Sequence, residues 1–268
     1  MSEAMEQGRG AAALPSRGVG GILSEAFRLY RRHWRPLLAI AAVVAVPLTL
    51  LQYWLGDWVT SQLEFEQGLT GSWATLPIWL LNLLAVMVAL LMYQVLTGAI
   101  TRAVAAELAG EDLSVEQSYR FGFARLGSIL LVSILAGLAI MGGTLLFVVP
   151  GIYIVVALTV SIQALVVEGG RWSQALSRSW ALVEGHWWHA FATLLAATLL
   201  TGVISAVITA AFSGGGSWLV QGLADAVATV LTLPYGALVG VLLYLDLRAR
   251  KESLSLDTLR ADLQASIA

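Results

Sequence analysis

The chain has 268 residues, 58% of them hydrophobic and 12% charged, with a formal net charge of −2. A water-soluble domain carries about 25% charged residues, so this chain has too little polar side chain to cover a fold of its size in water. It contains no Cys, which excludes disulfides, thiolate nucleophiles and Cys-based metal sites.

Residues 1–18 show Gly, Ala and charge without periodicity and predict a disordered tail. Next, Ile22, Leu23, Ala26, Phe27, Tyr30 and Trp34 share one helical face, and Ser24, Glu25, Arg28, Arg31, Arg32 and Arg35 the other. That is the pattern of a helix lying in a membrane interface, with Ser24 as its N-cap. Arg28, Arg31, Arg32 and Arg35 beside Trp34 form a candidate patch for anionic lipid, each basic side chain contributing about 1 kcal/mol near an anionic leaflet.

A helix needs about 20 mostly apolar residues to cross a bilayer. The first such segment is Leu37–Leu55, which follows a polar, Arg-containing stretch and so reads as a retained span rather than a cleaved signal. A loop, Gly56–Leu76, leads to the second, Pro77–Ile100. The third and fourth, Leu126–Val149 and Gly151–Val167, predict a tight hairpin in which Pro150 stops one helix and Gly151 permits the reversal. The fifth is Ala190–Phe212 and the sixth Ala226–Leu247, where Pro234 predicts a kink and the Gly236/Gly240 pair close helix packing. Ser255–Ile267 predicts a last capped helix, with Leu256, Leu259 and Leu263 on one face.

All fifteen Lys and Arg residues fall before span one, between spans two and three, between four and five, or after span six. The opposite connections carry none. The positive-inside rule therefore predicts six spans with both termini cytoplasmic. The fold class expected is all-α: a six-helix membrane domain over residues 19–252, built as three hairpins with cytoplasmic interfacial amphipathic helices, and a C-terminal helix in 253–268. The segments starting at Ser24, Ser114 and Ser173 each lead into an odd-numbered span. In the third, Trp172, Leu176, Trp180 and Val183 recur at helical steps. The repeating unit is an interfacial helix, a span, a turn and a span.

Several blocks carry a family likeness: Pro150-Gly151-Ile152-Tyr153, Glu168, Ala175-Leu176-Ser177-Arg178-Ser179-Trp180, Gly185-His186-Trp187, Leu233-Pro234, and Leu243-Tyr244-Leu245-Asp246-Leu247-Arg248-Ala249-Arg250-Lys251-Glu252. Over roughly Leu126 to Glu252 the chain resembles the prokaryotic membrane domain named after glycerophosphoryl diester phosphodiesterases. The resemblance implies a multi-pass architecture in the plasma membrane. It implies no catalysis, because the chain has no stretch matching the phosphodiesterase barrel.

Glu168, Arg178, Asp246 and Arg248 fall at the predicted cytoplasmic boundary, where lone charges are costly and pairing is expected. They form either a headgroup site or a clamp holding interfacial helices, with Glu168 or Asp246 paired to Arg178 or Arg248. Asp225 sits at the outer interface or in a cavity. Thr198, Thr201, Ser205 and Thr209 line one face of span five; with Thr159 and Gln163, and Gln94 and Thr97, they form a polar path or bond to their own backbones. His186 and His189 lack a third metal ligand in view. No catalytic set, cofactor motif, metal site or nucleic-acid motif is expected. The partners expected are membrane lipids with anionic headgroups, and a protein partner or second copy. Two functions stay open: a non-enzymatic protein that organises or moves lipids, small amphiphilic molecules or partner proteins, and a membrane enzyme or enzyme subunit acting on phospholipid headgroups.

Overall fold

The computed structural model describes residues 15–67, 125–212 and 217–265, together with 80, 83–84, 87, 93–94 and 96–105. The fold is all-α. The described helices are α1 (Val19–Arg32), α2 (Trp34–Gln67), α3 (Leu126–Leu146), α4 (Val148–Ala157), α5 (Ser161–Glu168), α6 (Trp172–Val183), α7 (Trp187–Ala211), α8 (Trp218–Glu252) and α9 (Leu256–Ala265). Residues 96–105 are also helical and deeply buried. Five stretches are long and apolar enough to cross a membrane: α2, α3, α4 with α5, α7 and α8. Most of the predicted second span, and the predicted helix at Ser114, lie outside the described residues.

The centre of the fold is α8. From Leu233 to Arg248 it is buried on nearly every side, as expected of a helix apolar all round, and it packs against α2, α7 and α1. On α1, Ile22 and Ala26 are fully buried, whereas Phe27 and Trp34, predicted on the same face, are half exposed. The Tyr30 hydroxyl donates to the Leu231 carbonyl at 3.0 Å and the Tyr235 hydroxyl to Leu23 at 3.3 Å, crossing α1 and α8 in both directions.

Six expectations need correction. The α3–α4 reversal is made at Phe147, whose backbone is extended (φ −164°, ψ 154°), and not at Pro150-Gly151. Pro150 lies in the first turn of α4, where a missing N–H costs nothing. Gly151 serves close approach instead: a Cβ there would lie 2.3 Å from Thr144 Oγ1 and 3.0 Å from Thr144 Cα.

The fourth span is interrupted rather than continuous, with α4 ending at Ala157 and α5 starting at Ser161. Ser161 supplies a cause. Its N–H and its hydroxyl both donate to the Leu158 carbonyl, at 3.2 and 2.7 Å, a tight local pairing that competes with the helical ladder.

Helix starts also shift. Gly18, not Ser24, caps α1, and the Ser24 hydroxyl turns back to the Gly21 carbonyl. Helix α6 starts at Trp172 because Gln174 reaches back to accept the Arg171 N–H at 2.8 Å, so Ser173 lies inside the first turn. The predicted outer loop from Gly56 is helical as far as Gln67, and α8 begins at Trp218, well before Ala226. Ser255 does cap α9, accepting the Thr258 N–H at 3.2 Å.

Candidate functional site

The boundary charges form two clusters. In the first, Glu168 at the end of α5 accepts the Arg178 Nε at 2.9 Å on both oxygens and the Tyr244 hydroxyl at 2.7 Å. Arg178 reaches on to Glu252. Arg248, only 5% exposed, donates to Tyr244 at 3.2 Å, Glu252 at 3.1 Å and Asp262 of α9 at 2.7 Å. Hydrogen bonds that Arg178 donates to Glu252 and to Glu168 hold its guanidinium charged beyond its ordinary range, against the opposing effect of burial. The network ties α5, α6, α8 and α9 together. Glu168 and Arg178 also border an open cleft of about 540 Å³ with Gly170, Gln174 and Ser177, where each already holds the other.

Asp246, 2% exposed, takes different partners from those predicted. It accepts from Arg250 Nε at 2.7 Å and the backbone N–H of Arg17, and lies 2.9 Å from His189 Nε2. The Arg17 carbonyl accepts from Arg250 at 2.6 Å, so the chain is held to α8 before Gly18. Geometry explains the exchange: Arg250 is one turn along α8 from Asp246, whereas Arg178 comes from α6 on the Glu168 side. His189 is thereby engaged away from His186. Sequence reasoning missed Tyr244, Glu252 and Asp262; the four-residue steps from Tyr244 to Arg248 to Glu252 were the signal that could have found the first two.

On the lipid patch, Arg31, Arg32 and Arg35 are exposed. Arg35 lies 5.3 Å from the centre of the Trp34 ring. Arg28 pairs with Glu25 one turn back, which lowers its share of the patch.

The break in the fourth span borders the second region, a cavity of about 580 Å³ between α3, α4, α5, α7, α8 and residues 93, 94 and 97. It gathers most of the polar side chains read from sequence: Gln94, Thr97, Thr159, Gln163, Thr198 and Thr201. Ser205 and Thr209 do not line it; the Thr209 hydroxyl donates to the Ser205 carbonyl at 2.9 Å. Gln163 is 4% exposed and its buried Oε1 has no hydrogen-bond partner, a deficit of about 1–3 kcal/mol. The Gly236/Gly240 pair does not act as predicted. Gly240 makes room for Gln163, whose Nε2 would stand 2.7 Å from a Cβ there, while Gly236 faces open space in the cavity wall. Tyr93, Ser133, Ser161, Thr229 and Thr232 join the lining without having been singled out; the run Asp225, Thr229, Thr232, Gly236 at steps of four, three and four was the signal for the α8 members.

Asp225 is half-buried on α8 and lines a smaller cavity of about 230 Å³ with Thr49, Gln52, Tyr93, Thr229 and Leu233. Tyr93, Thr229 and Leu233 line both cavities. No group of His, Cys, Asp and Glu suited to a metal ion occurs among the described residues. Comparison with protein-family models, with curated proteins and with solved structures yields no match.

Proposed function

We propose that this chain is a non-catalytic, multi-pass membrane protein that takes a small amphiphilic molecule into the bilayer-embedded cavity at the break in its fourth span. The observation that carries this reading is Gln163: an amide buried and unpartnered at a helix interruption, beside empty space. Irregular backbone at membrane depth is tolerated where it lines a cavity, and interrupted helices recur at the substrate sites of transporters. A volume of about 580 Å³ lies in the range of small-molecule sites. The boundary charges favour a clamp over a headgroup-cleaving centre, because Glu168, Arg178, Asp246 and Arg248 are engaged with one another, with Arg250 or with neighbouring hydroxyl and carboxylate groups.

On this reading the chain has six spans, the second supplied by Pro77–Ile100, with both termini in the cytoplasm of a prokaryotic cell. The interactions of Arg17, Arg125, Arg178, Arg248 and Arg250 with Asp246, Gly169, Glu168 and Glu252 gather these basic residues in the network around the end of α8, which is what a single cytoplasmic face requires. The resemblance to the phosphodiesterase-associated membrane domain supports the same architecture. Native mass spectrometry of the detergent-purified protein tests the function. Wild type is expected to retain a molecule of defined mass that Gln163→Leu loses. Equal retention by both, or none by either, refutes the cavity as the site.

A further inference from the structure

We infer that the molecule taken up carries a protonated amine, bound by Asp225 and Tyr93 in the smaller cavity, with its apolar body passing the shared residues Tyr93, Thr229 and Leu233 into the larger cavity toward Gln163; this rests on the cavity reading above. Three independent observations converge.

The first is the state of the hydroxyls. Thr97, Ser133, Ser161, Thr201 and Thr232 each donate their proton to a backbone carbonyl three or four residues earlier in the chain, at 2.7–3.0 Å. Thr49, in the Asp225 cavity, does the same to Ala45 at 2.7 Å. What these groups retain for a ligand is lone pairs. Six lining hydroxyls whose protons are already spent favour a ligand that donates.

The second is charge. Asp225 is the one ionisable carboxylate lining either cavity, and it makes no ion pair among the described residues. A carboxylate within a membrane span needs a counter-charge. Among the described residues no Lys, Arg or His lines either cavity, so none of them supplies one there. A bound cation would.

The third is the neighbouring ring. Tyr93 lines both cavities beside the carboxylate, and a cation is attracted to the face of an aromatic ring. Carboxylate plus aromatic ring suits an ammonium group. The size and lining of the space then separate an organic cation from an inorganic one. The larger cavity is also walled by Val132, Ala136, Ile140, Leu194 and Ala237, which a bare alkali ion would not use. Along α8, Asp225 and Gly240 stand about 22 Å apart at 1.5 Å per residue, room for an extended alkyl chain.

The test uses the full chain in lipid nanodiscs and a matched pair of probes, tritiated dodecylamine and tritiated dodecanol, read by scintillation proximity. Wild type should bind the amine about tenfold more tightly than the alcohol, the factor for one charge-assisted contact of ordinary strength. Asp225→Asn, a nearly isosteric change, should bring the amine down to the alcohol, and Asp225→Glu should restore the preference. Gln163→Leu should weaken both probes. Equal binding of amine and alcohol by wild type, with both still lost in Gln163→Leu, overturns the ammonium assignment and leaves the cavity reading standing. Binding of both probes that Gln163→Leu does not change overturns the cavity reading as well. Displacement of the amine by sodium or potassium chloride, but not by choline chloride at the same ionic strength, overturns the assignment in favour of an alkali ion.

Discussion

Removing Glu168 is expected to loosen four helices at once. Its carboxylate receives both close contacts of Arg178 Nε and the Tyr244 hydroxyl, and Arg248 Nε stands 3.7 Å away. Fully exposed pairs contribute about 0.2–1 kcal/mol, and breaking a buried pair costs about 3–5 kcal/mol. With side chains 25% and 29% exposed, Glu168 and Arg178 lie between these limits. Glu168→Ala should cost about 2–3 kcal/mol, because it removes both Arg178 Nε contacts, the acceptor of the Tyr244 hydroxyl and a carboxylate near the buried Arg248, leaving Arg178 only Glu252 and Arg248 its bonds to Tyr244, Glu252 and Asp262, each charge-assisted contact being worth roughly 1.5–3 kcal/mol before the exposure discount. Arg178→Ala should cost less, about 1–2 kcal/mol, since Glu168 keeps Tyr244 and Glu252 keeps Arg248. The double variant should be little worse than Glu168→Ala, with a coupling of about 1–2 kcal/mol. At roughly 2–4 °C per kcal/mol for a chain of this size, Glu168→Ala lowers Tm by about 4–12 °C. The assay is thermal unfolding in detergent followed by Trp fluorescence. Additivity of the two single changes within about 0.5 kcal/mol would refute the pairing; so would Arg178→Ala being the more damaging.

Three further outcomes follow from the same geometry. Gly151→Val should disrupt the α3–α4 hairpin, since even a Cβ meets Thr144 at 2.3 Å; fluorescence-detected gel filtration should show loss of the monodisperse peak, while Gly137→Ala, with open space at its Cβ, leaves it intact. Ser179→Ala should lower stability by about 1–2 kcal/mol in the same thermal assay, because the fully buried Ser179 donates to the Ala157 carbonyl at 2.8 Å where α4 ends. The absence of Cys makes single-cysteine mapping clean: in intact cells Ser217→Cys should react with a membrane-impermeant maleimide and Ser253→Cys only after permeabilisation, and the reverse pattern would invert the orientation.

The distribution of polarity along this chain was easy to read, and the interruptions were not. The predicted spans three and five coincide closely with α3 and α7, and the predicted span six lies wholly within the longer α8, because a long apolar helix needs only length and hydrophobicity. Most of the predicted second span falls outside the described residues. The break at Leu158–Val160 carries no Pro or Gly; it depends on the Ser161 hydroxyl folding back onto Leu158, and Ser and Thr do this within continuous helices too, as Thr97 and Thr201 show. The turn at Phe147 was hidden for the opposite reason. Pro150-Gly151 carries every local mark of a reversal, yet Pro suits a first helical turn and Gly suits close packing, and these two uses prevailed. The partners of Asp246 were also beyond the sequence, because His189 and the Arg17 backbone lie 57 and 229 positions away along the chain. Glu168 with Arg178 was more accessible, being joined by a short turn that Gly169 closes in the left-handed conformation (φ 70°).

The clamp and the cavity are mechanically one device. Helix α5 holds Gln163 at its third position and is bounded by the Leu158–Val160 break at one end and Glu168 at the other. A helix of eight residues has little stability of its own. Consecutive residues of α6 fasten both ends: Ser179 takes the Ala157 carbonyl just before the break, and Arg178 takes Glu168 in the last turn of α5. Glu168 is fixed in turn to α8 through Tyr244, the helix whose Gly240 gives Gln163 its room. The unpartnered amide is therefore held in place from three sides by contacts that do not touch the cavity. An unsatisfied polar group of that kind persists only where the surroundings over-determine it. That is the physical reason for reading the boundary charges as support for a binding site rather than as the site itself.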